Sequence, residues 1–81
     1  MPNICYRVPE TDEVKVQPFN GGAEAYGYGI AALNKGYVLL AVGHHPAEPK
    51  ISIRAIESAR RVRDQQLAAG LPVSDLPKLA A

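Results

Sequence analysis

The residue types that could do chemistry in this 81-residue chain are few: one cysteine, Cys5, and one histidine pair, His44-His45. Adjacent residues of a strand point to opposite faces, so the two imidazoles cannot easily bind one metal ion. The spacings C-x-x-C and H-x-x-x-H, typical of zinc sites, do not occur. Cys5 and His44 could form a nucleophile and its base, but nothing adjacent to Cys5 would favour a reactive thiolate. We therefore expect no metal, no cofactor and no catalytic site.

Positive charge is concentrated near the C-terminal helix, at Lys50, Arg54, Arg60, Arg61 and Arg63. Such a cluster could contact phosphates or an acidic partner. Glu57 lies four residues before Arg61, and Arg60 four before Asp64, which balances half of this charge along a helix. The net charge of +1 gives no global attraction to nucleic acid. We favour a solvated helix face over a phosphate-binding site.

Three turn signals, at 9–12, 20–22 and 34–36, divide the first half of the chain into four short apolar runs. Asn and Gly tolerate positive φ at low cost, so these clusters mark reversals or element ends. Period-two alternation predicts strands at about 4–8 and 14–19. The acidic, turn-rich stretch between them predicts that the two strands form a hairpin.

The segment 25–42 allows two interpretations. In the first it is a hairpin closed by Asn34-Lys35-Gly36, with the tyrosines on one face and small residues on the other. In the second, 25–33 is a helix in which Tyr26 and Ile30 share a face and Gly36 is the C′ residue. Gly27 and Gly29 would each cost about 1 kcal/mol relative to Ala inside a helix. We favour the hairpin.

An amphipathic helix is predicted over about 52–69. Ser52 is a suitable N-cap, and Gly70 is a suitable C′ residue with Pro72 just beyond it. The helix could cover the small-residue face of the sheet or the tyrosine face, and the sequence leaves both arrangements open. The tail at 71–81 is expected to be mobile.

Together these signals predict one α+β domain over 1–81. It is an antiparallel β-meander of three to four strands at about 4–44, with one long C-terminal helix packed on one face. The chain is 47% hydrophobic but has no Trp and one Phe. So thin a core leads us to expect a protein partner or a homodimer. The single cysteine and the lack of a long apolar run indicate a cytoplasmic protein with no membrane partner.

Three short stretches carry a family resemblance: Gly43-His44-His45-Pro46, then Ile56-Glu57-Ser58-Ala59-Arg60, then Gly70-Leu71-Pro72. Together they resemble the arm-type DNA-binding domain of tyrosine integrases. That family has a three-stranded sheet ending in a Gly-x-x-Pro turn, then a helix with a Leu-x-x-Ala-Arg signature. The resemblance implies sheet-then-helix topology and a sheet that enters the DNA major groove.

We therefore expect a small non-enzymatic macromolecule-binding module. The leading interpretation is a protein-binding inhibitor or adaptor, similar in size and composition to accessory proteins of phages and mobile elements. Its expected contacts are Tyr26, Tyr28, Tyr37, Arg54, Arg61 and Arg63, because Tyr and Arg dominate binding energies. A homodimer is expected through the Tyr26/Tyr28 sheet face. The alternative is a nucleic-acid-binding module that uses Lys50, Arg54, Arg60, Arg61 and Arg63.

Overall fold

The structure, a computed structural model, describes residues 2–43 and 51–79. Its elements are, in order, β1 (Asn3–Val8), β2 (Glu13–Pro18), α1 (Gly22–Asn34), β3 (Val38–Val42) and α2 (Ile53–Ala68). The three strands form one antiparallel sheet in the order β2-β1-β3. The predicted α+β class is confirmed, with α2 as the long C-terminal helix.

The first strand is the centre of the sheet. Because β2 and β3 both run antiparallel to β1, they are parallel to each other and lie on either side of it. The chain passes from β2 to β3 through α1, so β2, α1 and β3 form a βαβ unit split by β1. The predicted meander order is therefore wrong at β3, which pairs with the first strand of the chain.

The hairpin favoured for 25–42 is wrong, because 22–34 is helical. The cluster Asn20-Gly21-Gly22 begins the helix instead of closing a hairpin. Gly21 is the N-cap, and the Glu24 carboxylate accepts a hydrogen bond of 2.8 Å from the Asn20 N–H. A carboxylate in the first helical turn satisfies a free N–H and also interacts well with the helix dipole.

The third turn signal, Asn34-Lys35-Gly36, ends the same helix. Gly36 has φ +82°, and its N–H donates to the Leu33 carbonyl at 3.0 Å. The Tyr37 N–H donates to the Ala32 carbonyl at 3.0 Å. These two bonds make a Schellman motif, in which glycine at C′ is favoured because the conformation is left-handed. Gly36 is thus the C′ residue that the helical interpretation required.

The two glycines inside α1 lie where other parts of the chain approach most closely. A Cβ built on Gly29 would lie 2.7 Å from Cγ2 of Ile56, which is fully buried. A Cβ on Gly27 would lie 2.8 Å from Cδ of Pro77 in the C-terminal tail. Their helix-propensity cost is therefore offset by packing that no larger residue allows.

The hydrophobic core lies between the sheet and the helices. It consists of Ile4, Tyr6 and Leu39 from the sheet, Phe19 directly after β2, Ala25, Ile30 and Ala32 from α1, and Ile56 from α2. Several of the α1 residues are small, so this helix lies close to its neighbours. These small residues bring α2 close to α1, and α2 also contacts β3 of the sheet.

The C-terminal helix begins and ends as predicted. The Ser52 hydroxyl accepts a hydrogen bond of 3.0 Å from the Ala55 N–H, and Gly70 has φ +76° in a second Schellman motif. Only its first half packs on the body of the protein, where Ile56 is buried, whereas Val62 and Leu67 are exposed.

The tail, expected to be mobile, packs against the body over 71–79. Leu76 and Leu79 lie against the hydrophobic core. The Arg63 guanidinium donates a hydrogen bond to the Ser74 carbonyl. This segment is extended coil, and it covers part of α1 near Gly27.

Candidate functional site

One face of the sheet is apolar and open. The core-forming side chains of β1 point to the other face, where the helices lie. The residues directed away from the helices include Cys5, Arg7, Val14, Val16, Val38, Leu40 and Ala41, which we call the open face. Asn3 and Pro18 lie on the same side, at the end of the β1–β2 pair. Its large apolar members are well exposed: Val14 by 58%, Val16 by 51%, Leu40 by 44% and Val38 by 39%.

The edge strand β2 directs polar side chains toward the core and apolar side chains toward solvent. Gln17 pairs with Ile4 and is buried on the covered face, where its side-chain amide donates to the Pro18 carbonyl at 3.0 Å. The valines of the same strand point to solvent. A half-covered antiparallel strand normally directs its apolar residues inward and its polar residues outward. Packing among the residues that the structure describes therefore does not explain the exposed valines of β2.

The length of the first turn produces this reversal. Val8 pairs with Glu13 across a four-residue loop, closed by a bond of 2.8 Å from the Asp12 N–H to the Val8 carbonyl. Asp12 has φ +59°, a conformation that Asp tolerates better than most residues. Counting back from this turn places Val14 opposite Arg7 and Val16 opposite Cys5. The length of this turn is therefore a signal, within the sequence itself, that the valines of β2 lie on the open face.

Both edges of the sheet carry features that hinder pairing with another strand. In β2, Lys15 points to the covered face and Pro18 ends the strand without an N–H to donate. In β3, the pairing passes from Ala41 to Leu39, so that Leu40 is the extra residue of a bulge. Inward charges, proline and bulges are the means by which proteins protect sheet edges. The face, and not an edge, is therefore the surface available for contact.

The open face is almost neutral. Arg7 is the one charged residue in it, and its guanidinium lies 3.2 Å from the Asp12 carboxylate at the rim. Cys5 is half-buried at the middle of the central strand, between Val16 on one side and Ala41 on the other. A charged partner would find little net charge to recognise here.

The three tyrosines predicted as anchors do not share a face. Tyr26 and Tyr28 lie on α1, where a separation of two residues turns the side chains about 200° apart. Both are half-buried and pack against the core. The Tyr26/Tyr28 sheet face predicted as a dimer surface is therefore wrong, because this segment is helical.

Tyr37 stacks on Tyr6, with ring centroids 5.3 Å apart and planes 4° from parallel. The Tyr6 side chain is fully buried, and its hydroxyl has no hydrogen-bond partner among the described residues. Burial raises the pKa of Tyr6, and the nearby Tyr37 hydroxyl raises it further. Tyr37 thus supports the core from its edge.

A cleft of about 510 Å³ lies beside this stack. It is lined by Val8, Pro9, Glu10, Lys35, Gly36 and Tyr37. The lining includes one acid and one base but no cysteine, histidine or serine. It therefore lacks the pairing of a serine or cysteine with a histidine that many nucleophilic sites use.

The arginines of α2 are divided between internal and external roles. The Arg60 side chain donates to the Asn34 side-chain oxygen at 2.9 Å, which ties α2 to the end of α1. Arg63 holds the tail through Ser74. Arg54 and Arg61 are exposed, and Arg61 donates to the Ser58 hydroxyl at 3.0 Å. The predicted pairs of arginine with Glu57 and Asp64 are not formed among the described residues.

The histidine and lysine candidates cannot be placed. His44 and Lys50 lie outside the described residues, so the structure gives no position for the Cys5 and His44 pair. Over 2–43 and 51–79, no group of three His, Cys, Asp or Glu residues could hold a metal ion. In the same part of the chain, neither helix is long and apolar enough to cross a bilayer.

No family model, curated protein or solved structure matches this chain. The resemblance to integrase arm domains stays a prediction. Function must therefore be argued from the surfaces described above.

Proposed function

We propose that this protein is a small non-enzymatic protein-binding module, and that the open face is its binding surface. The observation that supports this most directly is the outward orientation of Val14 and Val16. Both valines are more than half exposed, although a half-covered antiparallel strand normally directs its apolar residues inward. Apolar sheet surfaces of this kind are typical of protein interaction sites.

The energy available from this surface is moderate. Complete burial of a valine contributes about 1.5 kcal/mol, so covering a half-exposed valine contributes roughly 0.8 kcal/mol. Four such residues give about 3 kcal/mol before the costs of association. The open face alone therefore supports a reversible interaction, of the kind that an adaptor or inhibitor makes.

The inhibitor or adaptor class rests on size and composition, as does the analogy with accessory proteins of phages and mobile elements. The single cysteine is consistent with our proposal that the protein acts in the cytoplasm. The non-enzymatic assignment is supported by the cleft beside Tyr37, whose lining has no cysteine, histidine or serine, and by the half-buried position of Cys5.

Nucleic-acid binding is the competing proposal, and the arginine contacts weaken it. Arg60 and Arg63 are engaged within the chain, which leaves Arg54 and Arg61 on the exposed side of α2. Glu57 and Asp64 are exposed on the same helix and reduce its positive potential. A phosphate-binding surface would need a larger uncompensated basic patch.

The experiment compares three tagged proteins in pull-downs from a lysate with and without nuclease treatment, at low and moderate salt. Val16→Lys places a charge on the open face. Val62→Lys is its matched control, because Val62 lies on α2 and is 52% exposed against 51% for Val16. A stoichiometric protein retained by the parent and by Val62→Lys, but lost with Val16→Lys, supports the proposal. Equal retention by all three refutes it, and recovery of nuclease- and salt-sensitive nucleic acid alone supports the competing one.

A further inference from the structure

We infer that the partner on the open face is a second copy of this chain, packed sheet against sheet about a two-fold axis close to Cys5. This inference rests on the proposed function, because it takes the open face to be an interface. It names the occupant that fits the charge, the edges and the size of that face. It replaces the tyrosine face as the surface for a homodimer.

The charge of the open face permits self-association. An isologous interface brings the same patch of both subunits together, so any net charge on it would repel itself. Here the guanidinium of Arg7 is paired with Asp12 at 3.2 Å, and the other members of the open face are uncharged. Two copies can therefore meet without like-charge repulsion.

The edges of the sheet favour face-to-face packing over strand addition. A second copy that added to β2 would meet Pro18, and one that added to β3 would meet the bulge at Leu40. Sheets that stack face to face lie about 10 Å apart and let their side chains interdigitate. Cys5 and Ala41 are small residues at the centre, which leaves room for the opposing valines.

The size of the face sets the strength of the contact. Three strands of about six residues span roughly 20 × 14 Å. That is a small patch compared with the roughly 800 Å² per partner of a standard interface. A hetero-partner would need a matching flat apolar patch, whereas a second copy already has one. We therefore expect a weak, reversible dimer that forms at about millimolar concentration.

Cys5 is a built-in reporter of this arrangement. It is the one cysteine of the chain, so a cysteine-specific cross-link must join two molecules. It lies on the central strand of the open face, near the proposed axis. With sheets about 10 Å apart, the two thiols fall within reach of a short bismaleimide.

The test uses the purified 81-residue chain in sedimentation equilibrium over a concentration series that extends to about 1 mM, with bismaleimide cross-linking in parallel. We expect a monomer–dimer equilibrium and a covalent dimer through Cys5. Val16→Lys should raise the dissociation constant at least about tenfold, since the two-fold axis introduces the change twice and the lysines become desolvated. Val62→Lys should leave it unchanged. Val14→Lys provides a second open-face variant if far-UV circular dichroism shows that Val16→Lys is unfolded.

A monomer at every concentration, without a cross-linked product, would overturn the inference. So would a dimer that Val16→Lys and Val14→Lys leave intact. The pull-down separates these failures from failure of the proposed function. If the protein is monomeric and Val16→Lys still abolishes capture of a cellular protein, the open face binds a different partner. If the open-face variants change neither dimerisation nor capture, both proposals fall.

Discussion

Replacing Gly29 by alanine tests the central packing contact of the fold. Inside a helix, Gly→Ala normally stabilises by about 1 kcal/mol. Here the added Cβ would lie 2.7 Å from Cγ2 and 2.8 Å from Cδ1 of Ile56. Carbon atoms prefer separations of about 3.5–4.0 Å, so α2 must move or Ile56 must leave its rotamer.

The expected result is a net loss of stability. Overpacking a core costs about 1–3 kcal/mol. Because Ile56 is fully buried and two of its carbons are involved, we take a cost of about 2–3 kcal/mol in that range. After the propensity gain, Gly29→Ala should lower the free energy of unfolding by about 1–2 kcal/mol. Urea denaturation followed by far-UV circular dichroism measures this difference.

A double-mutant cycle identifies the contact responsible. Ile56→Ala alone should cost about 2–5 kcal/mol, because it leaves a cavity. Combined with Gly29→Ala, it removes the atoms with which the new Cβ collides, so the two losses should fall short of additivity by at least about 1 kcal/mol. Stabilisation by Gly29→Ala, or strict additivity with Ile56→Ala, would refute the close approach of α2 to α1.

Three further changes are expected to have smaller effects on unfolding. Gly27→Ala should cost less than Gly29→Ala, about 0–1 kcal/mol in urea denaturation, because the colliding Pro77 lies in a coil that can move; a larger loss than at Gly29 would contradict this. Tyr6→Phe should stabilise by about 1 kcal/mol, since the buried hydroxyl has no described partner. The raised pKa of Tyr6 favours the folded state fully below pH 10.0, and this contribution is lost as pH rises through the folded-state pKa. Tyr6→Phe should lack that alkaline loss in pH-dependent melts, and an unchanged profile would contradict it. Ser52→Ala should lower stability by about 1 kcal/mol through loss of the bond to the Ala55 N–H; thermal melts measure it, with no change in the melting temperature as the contrary outcome.

The features that could be predicted from sequence are those set by neighbouring residues. Ser52 and Gly70 bound α2 as expected, and the first hairpin forms where the turn residues indicate. In the third turn signal, Gly36 is the C′ residue that the helical interpretation predicts. These are local signals, with cause and effect a few residues apart.

The helix over 22–34 could not be predicted because its glycines make room for residues far along the chain. Gly29 accommodates Ile56, which lies 27 positions later in the chain, and Gly27 accommodates Pro77. Helix propensity measures the cost of glycine in isolation, where no such contact exists. Tertiary packing decided the conformation, and the tyrosines of this segment became supports of the core.

The candidate site was missed for a different reason. Residue type alone favours tyrosine and arginine as binding residues. In the structure, however, the side chains of Arg60 and Arg63 form hydrogen bonds within the fold. The strand register decides which residues of β2 lie on the open face, and the four-residue turn before Glu13 fixes that register. Residue type predicts which side chains could bind, whereas register determines which of them reach solvent.

The central position of β1 has a consequence for how the chain is made. Synthesis runs from the N-terminus, so the ribosome releases 3–8 before any other strand. The partner on one side follows after a four-residue turn, but the partner on the other side is 38–42, beyond the whole of α1. In a nascent chain, one side of β1 in the β1–β2 hairpin therefore stays unpaired until α1 and β3 have been synthesised. The strand β1 is made first but gains its second neighbour only when β3 has been made. A chain interrupted before Val42 therefore cannot complete its sheet.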